Sequence, residues 1–276
     1  MRARHAVAAA LAAIALTLAG CAAGATAPGT GTAAGPDEDP NAPAAPAADP
    51  GPELTGELSI AAAASLQAAF DDLATAFEAR HPSLEVLPIA YDGSPTLATQ
   101  IVEGAAVDVF AAADQATMHA VVDAGLATDP AAFATNTLAL VVPPGNPGGV
   151  QDLADLADPD LIVVACAGAV PCGAASEALL DAAGVTASID SHEQNVTAVL
   201  TKVATGEADA GLVYVTDAAR AAVDTIPVAG AADIVNRYPI VALAESANPR
   251  AAAAFVAFVR SPDGQGVLAG LGFGAP

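Results

Sequence analysis

Residues 57–90 read ELSIAAAASLQAAFDDLATAFEARHPSLEVLPIA, and this stretch decides the class of fold. The apolar residues from 54 to 64 predict a buried strand. From Leu66 onward, apolar residues recur at the spacing of an amphipathic helix, which Pro82 ends. Residues 84–90 predict a second strand. A strand, a helix and a strand in this order are typical of the α/β class.

The alternation continues beyond this unit. Ser94 and Pro95 predict a second helix, with serine as its N-cap and proline in its first turn. Gly104 ends that helix, residues 107–112 predict a third strand, and Asp114 begins a third helix. We therefore expect parallel sheets covered by helices.

A second α/β unit begins near residue 138. Its predicted strands and helices, followed by two helices at the end of the chain, cover residues 138–142, 161–166, 174–183, 196–205, 211–214, 249–260 and 263–271. The pattern predicts an α/β protein with two lobes.

Composition excludes one class of partner. The formal net charge is -23, with only 8 Lys+Arg, and aromatic residues make up 4% of the chain. Nucleic-acid binding needs clustered cations, so nucleic acid is not an expected partner. An anionic ligand would require a site built from uncharged donors.

The first residues predict export. A basic start, MRARH, is followed by an apolar stretch over residues 6–17, and we assign residues 1–20 to a signal peptide. The LAGC sequence at residues 18–21 resembles a bacterial lipobox, which implies that Cys21 is lipidated. The alternative is a transmembrane helix, but the apolar run is short for a hydrocarbon core of about 30 Å.

The stretch after the lipobox contains almost no large apolar residue. Ala, Gly, Pro, Thr and Asp dominate it, so it cannot bury enough surface to offset the entropy of ordering. We predict that residues 21–53 form a lipidated cysteine and a flexible tether. The expected location is extracytoplasmic, anchored by lipid to the cell membrane.

Cys166 and Cys172 lie close together in the sequence. In an exported protein such a pair favours a structural disulfide. A redox pair is the alternative, although the spacing is not C-x-x-C. His81, His119 and His192 show no ligand spacing, so we expect no site for a bare metal cation.

The sequence lacks common catalytic motifs at the positions where they act. No nucleophile elbow, P-loop, dinucleotide fingerprint or zinc motif lies at a suitable junction between a strand and a helix. Instead, Ser65 and Ser94 stand at predicted helix starts. Helix N-termini bind anions through free N–H groups and a partial positive charge, although simple capping would also explain each serine. We expect no catalytic residue and no cofactor.

Six motifs, in order, resemble the periplasmic molybdate-binding protein family of ABC importers. They are AAAASL at 61–66, GSPTLATQI at 93–101, GAAVDVFAAADQ at 104–115, VPCG at 170–173, NV at 195–196 and GEADAGLVYVTDA at 206–218. The resemblance implies a bilobal type II periplasmic-binding-protein fold with a ligand cleft between two α/β lobes. It implies a first lobe of residues 54–136 plus 217–276 and a second lobe of residues 137–216.

The resemblance also implies a ligand and a ligand-binding set. The ligand would be molybdate or tungstate, delivered by a monomeric binding protein to an ABC permease. Ser65 and Ser94 would each donate a hydroxyl and a backbone N–H, Cys172 and Val196 a backbone N–H, and Tyr214 its phenolic hydroxyl. Cys172 replaces the family's usual alanine, which a main-chain contact tolerates.

Other functions remain compatible with the sequence. A binding protein for sulfate or phosphate would share the fold. A thiol-active surface lipoprotein would use Cys166 and Cys172 for chemistry, and a structural or adhesive lipoprotein would bind no small ligand.

Overall fold

The structure is a computed structural model, and it describes residues 53–276. The predicted signal peptide, the lipidated Cys21 and all but the last residue of the predicted tether lie outside the described residues. Within residues 53–276, none of the helices combines the length and the hydropathy needed to cross a membrane.

Strands and helices alternate along most of the described chain. The strands are β1 Gly56–Leu58, β2 Ile60–Ala63, β3 Leu84–Val86, β4 Ala90–Asp92, β5 Val109–Ala111, β6 Ala131–Asn136, β7 Leu138–Val142, β8 Val163–Cys166, β9 Ile189–Glu193, β10 Ala210–Tyr214, β11 Asp224–Ile226 and β12 Asn236–Ala242. The helices are α1 Gln67–Glu78, α2 Ser94–Val102, α3 Gln115–Asp123, α4 Pro171–Ala183, α5 Val196–Ala204, α6 Val215–Ala218, α7 Pro249–Val259 and α8 Pro262–Gly270. Short 3-10 turns span Ala64–Leu66, Leu153–Ala157 and Ala231–Asp233.

Two five-stranded sheets organise the molecule, and a small pair, β1 with β3, lies beside them. The first sheet has the order β4-β2-β5-β12-β6, and the second has the order β11-β7-β10-β8-β9. We call the first sheet with its helices the first lobe, and the second sheet with its helices the second lobe. The predicted α/β class with two lobes is confirmed.

The prediction of parallel sheets is wrong in one respect, because both sheets are mixed. In the first sheet, β2 is parallel to β4 and β5, whereas β12 is antiparallel to β5 and β6. In the second sheet, β8 is parallel to β9 and β10, whereas β7 is antiparallel to β10 and β11. The antiparallel strands pair with partners distant in sequence, and local periodicity does not encode such pairing.

The chain passes between the sheets twice. Thr137 connects β6 of the first sheet to β7 of the second, and the chain returns between β11 and β12. The family resemblance implied that residues 217–276 belong to the first lobe, but β11 lies within that range and pairs in the second sheet. The return to the first sheet therefore comes at Asn236.

Each sheet has its own core. In the first lobe, Phe255 of α7 packs edge-on against Phe70 and Phe77 of α1, at centroid distances of 6.0 Å and 5.2 Å. The two C-terminal helices thus close the core that the first strand and helix begin. The second core is built mostly from Leu, Val and Ala, in keeping with the composition.

Phe255→Ala should destabilise the protein by about 3–5 kcal/mol, because it leaves a cavity in a fully buried aromatic cluster. Urea unfolding measures the change. The matched control is Val102→Ala in α2, where the side chain is 48% exposed and the expected change is below about 0.5 kcal/mol. Equal effects of the two substitutions would contradict this assignment of the core.

Candidate functional site

A small cavity lies where the two lobes meet, at the carboxyl ends of their strands. Its volume is ≈ 10 Å³, measured at the centres of a water-sized probe, far below the roughly 300–1,000 Å³ of pockets that take drug-sized ligands. All five predicted site residues line it: Ser65, Ser94, Cys172, Val196 and Tyr214. The structure thus brings together positions that are far apart in the sequence, in a space suited to a small ion or molecule.

Four helix starts face this cavity, two from each lobe. The first lobe contributes the turn that leads into α1, together with the start of α2, and the second contributes the starts of α4 and α5. The first N–H groups of a helix have no acceptor within it, and the N-terminus carries a partial positive charge. The cavity is therefore lined by positive dipole ends.

Neither serine caps its helix, which corrects the sequence prediction. Ser65 lies in the 3-10 turn before α1, and its Oγ is 3.2 Å from the hydroxyl of Tyr238. Ser94 is the first residue of α2, whose N-cap is Gly93, and its Oγ accepts a hydrogen bond from the N–H of Ala113 at 3.0 Å. The Ser94 oxygen is thus held by the protein, while its hydrogen is free to be donated into the cavity.

Tyr214 is arranged in the same way. Its hydroxyl oxygen accepts a hydrogen bond from Asn236 Nδ2 at 2.8 Å. The ring of Tyr238 lies next to that of Tyr214. The Tyr238 hydroxyl is 3.5 Å from Asn136 Nδ2, and it also contacts the Ser65 hydroxyl. Each asparagine amide supplies a hydrogen to a tyrosine oxygen, and of the two tyrosines it is Tyr214 that lines the cavity.

Burial keeps both tyrosines neutral. It raises the pKa of Tyr214 well above its ordinary value, and it raises the pKa of Tyr238 likewise. A phenol that stays protonated acts as a hydrogen-bond donor and cannot repel an anion by its own charge.

Cys172 is held by the predicted disulfide, which the structure confirms. The bridge joins the end of β8 at Cys166 to the second residue of α4, with a Cα–Cα distance of 5.7 Å. Gly173 fits against this turn because a Cβ there would lie 2.0 Å from the carbonyl oxygen of Ala167. The covalent bridge and the close turn fix the N-terminus of α4 at the cavity.

Val196 begins α5, and the residue before it caps the helix. The side chain of Asn195 accepts from the N–H of Ala198 at 2.9 Å, which leaves the Val196 N–H outside the capping interaction. Asp92 also lines the cavity, and its Oδ1 accepts from the N–H of Gly93 at 2.7 Å and from Asn195 Nδ2 at 3.0 Å.

Sequence reasoning missed several residues of this site. Asp92 directly precedes the GSPTLATQI motif and follows a predicted strand, so its position in the sequence could have marked it as a site residue. Asn136, Asn236 and Tyr238 lie in β6 and β12, two strands that were not predicted, and no local pattern marks them.

The cavity is almost free of charge. Asp92 is the one charged side chain among the described residues that line it, and two donors occupy its Oδ1. Helix starts, hydroxyls and backbone N–H groups are hydrogen-bond donors, which suit a small anion. The fold and the cavity thus define a bilobal α/β binding protein for a small anionic solute.

Comparison with known proteins agrees. The chain belongs to the family of bacterial extracellular solute-binding proteins, whose family model matches residues 58–274. It is 45% identical over 236 residues to the molybdate-binding protein ModA of Mycobacterium tuberculosis, covering 84% of this chain and 90% of that protein.

Solved structures show the same fold. The periplasmic molybdate-binding protein of Azotobacter vinelandii superimposes with a TM-score of 0.66 at 22% identity, covering 79% of this chain and 99% of that one. The sulfate-binding protein SubI of Mycobacterium tuberculosis gives a TM-score of 0.65 at 18% identity, covering 79% and 86%.

Removal of the disulfide should lower stability by about 2 kcal/mol, because the bridge restricts the unfolded chain. The variant carries Cys166→Ser with Cys172→Ser, and urea unfolding measures the loss. A reductant should reproduce this loss in the wild type and have no effect on the double variant. Full stability of both the reduced and the substituted protein would show that the bridge does not stabilise the fold.

Asp217 in α6 predicts a pH dependence of stability. Burial raises its pKa to about 7, and its buried Oδ2 has no hydrogen-bond partner among the described residues. In the unfolded chain the pKa is near 4, so the folded protein retains a proton between about pH 4 and pH 7. The stability that this proton provides is present at low pH and is lost as the pH rises through 7.

Asp217→Asn removes this titration. The melting temperature of the variant, relative to wild type, should therefore rise between pH 5 and pH 8 by at least about 2 °C. Asp181→Asn, at an exposed position of α4, is the control and should show no such trend. Parallel pH profiles for wild type and Asp217→Asn would refute the assignment.

Proposed function

We propose that the protein is an extracytoplasmic receptor that captures molybdate, and also tungstate, and delivers it to an ABC permease. The observation that carries the proposal is that five positions predicted from the sequence line one cavity of uncharged donors. The 45% identity to a molybdate-binding protein over most of both chains supports the choice of ligand. The receptor needs no catalytic residue and no cofactor, because its ligand leaves unchanged.

Uncharged donors suit a reversible receptor. A buried dianion needs its oxygens hydrogen-bonded, and charge-assisted hydrogen bonds from hydroxyl and N–H groups satisfy them. Ser65, Ser94 and Tyr214 supply hydroxyls, and Cys172 and Val196 supply backbone N–H groups. A site with fully paired cations would hold the ion more tightly and slow its release.

The hydrogen-bonding pattern also sets selectivity. Molybdate and tungstate are fully deprotonated at neutral pH and similar in size, so both fit one set of donors. Phosphate carries a proton at neutral pH and needs an acceptor, whereas the five proposed ligand contacts are all donors. Sulfate is smaller and would stretch the hydrogen bonds.

The same proposal covers the location of the protein. Cys21 would carry the lipid, and residues 21–53 would tether a monomeric receptor to the outer face of the membrane. Metabolic labelling with a fatty acid tests this, and Cys21→Ser should abolish the label and release the protein from the membrane fraction.

Calorimetry against molybdate, tungstate, sulfate and phosphate tests the ligand. Molybdate and tungstate should bind at least about tenfold more tightly than sulfate or phosphate, because a site discriminates when the wrong ligand leaves donors or protons unpaired. Preference for sulfate or phosphate would reassign the receptor within its class. No binding of any of the four ions would refute an oxyanion receptor.

Ser94→Ala tests the site itself. Loss of a donor to a charged ligand should weaken molybdate binding by about tenfold or more. Ser83→Ala is the matched control, since Ser83 is exposed and remote from the cavity lining. Unchanged affinity of the Ser94 variant would remove this hydroxyl from the ligand contacts.

A further inference from the structure

Asp92 and Asn195 contact each other across the cavity. Asp92 is the last residue of β4 in the first lobe, and Asn195 is the N-cap of α5 in the second lobe. Asn195 Nδ2 donates to Asp92 Oδ1 at 3.0 Å, and the N–H of Gly93 donates to the same oxygen at 2.7 Å. A charge-assisted hydrogen bond therefore joins the two lobes beside the predicted ligand contacts.

The backbones of the lobes also meet at this point. A Cβ on Gly93 would lie 2.1 Å from the carbonyl oxygen of Gln194, a distance that no side chain tolerates. Gly93 is thus required for the close approach that lets Asp92 reach Asn195.

Hydrogen bonds at both the oxygen and the nitrogen fix the orientation of the Asn195 side-chain amide. Its Oδ1 accepts from the N–H of Ala198 at 2.9 Å, which caps α5, so its Nδ2 is directed toward Asp92. A predicted ligand donor follows each member of the pair closely in sequence: Ser94 lies two residues after Asp92 in the first lobe, and Val196 lies directly after Asn195 in the second. The pair therefore sets the distance between donors that belong to different lobes.

We propose that Asp92 and Asn195 form an interlobe latch, a positioning pair that stabilises the closed arrangement of the lobes around the oxyanion. This inference rests on the proposed function. It also explains why a carboxylate lines a site for an anion: Asp92 lies there as the acceptor of the latch, and two N–H donors partly offset its negative charge.

The latch affects the affinity for the ligand because it stabilises the closed arrangement of the two lobes. The apparent affinity of a receptor is proportional to the population of its binding-competent state. Loss of a hydrogen bond to a charged group should reduce that population, and the affinity with it, by about tenfold to a hundredfold. The stability of each separate lobe should not depend on the contact.

Asn195→Ser tests the latch without adding charge. Serine caps a helix as well as asparagine does, but it is too short to reach Asp92. Molybdate affinity by calorimetry should fall by about tenfold or more, while the melting temperature of the ligand-free protein changes little. Wild-type affinity in this variant would overturn the latch.

Asn248→Ser is the matched control. Asn248 caps α7 through the N–H of Ala251, as Asn195 caps α5, but it does not line the cavity. Its Nδ2 donates to the carbonyl oxygens of Thr55 and Glu57, so this variant should lose stability and keep its molybdate affinity. A matching loss of affinity would show that altered capping, and not the latch, causes the effect.

Exchange of the two residues provides a rescue. Asn195→Asp alone places two carboxylates face to face and should weaken molybdate binding more than Asn195→Ser does. Addition of Asp92→Asn restores one donor, one acceptor and the original charge, so affinity should return to within a few-fold of wild type. A double variant as weak as Asn195→Asp would overturn the proposal.

A failure of the latch can be told apart from a failure of the proposed function. The wild-type titration alone decides whether molybdate is bound. The ratios of variant to wild-type affinity decide whether the latch contributes.

Discussion

The structure depends on one electrostatic constraint: an anion must be held inside a protein of formal charge -23 without cationic side chains lining the cavity. Helix N-termini meet this constraint because their free N–H groups and partial positive charges are fixed by the backbone. One helix start presents few donors, so several must converge. Two sheets facing each other at their carboxyl ends achieve this, because each places two helix starts at a common cavity.

The parts of this design that depend on short-range patterns could be predicted from the sequence. The strand and helix order around residues 57–90, the cap of α3 by Asp114 and the bridge between Cys166 and Cys172 follow from neighbouring residues. The positions of the five cavity residues came from motifs that resemble a known family. Their role as ligand contacts stays a prediction.

The remaining features are set by long-range pairing. The strand β12 lies between β5 and β6 and runs antiparallel to both, and nothing near residues 236–242 specifies those partners. The serines at 65 and 94 were expected to cap helices, because a serine before an apolar repeat normally does so. In the fold, the Ser65 hydroxyl contacts the hydroxyl of Tyr238, and the Ser94 oxygen accepts from the N–H of Ala113. Neither partner is close in sequence.

The points where the chain crosses between the lobes also orient the ligand donors. Asn136 is the last residue before the first crossing, and Asn236 is the first residue of the returning strand. Their amides donate to the hydroxyls of Tyr238 and Tyr214, and Tyr214 lines the cavity. Because these asparagines belong to the strands that carry the chain between the two sheets, the orientation of the tyrosine hydroxyls depends on how the lobes are connected. The donors come from both lobes, so the cavity has its full set only when the lobes are together. Ligand binding therefore stabilises the closed arrangement, and the closed arrangement strengthens ligand binding.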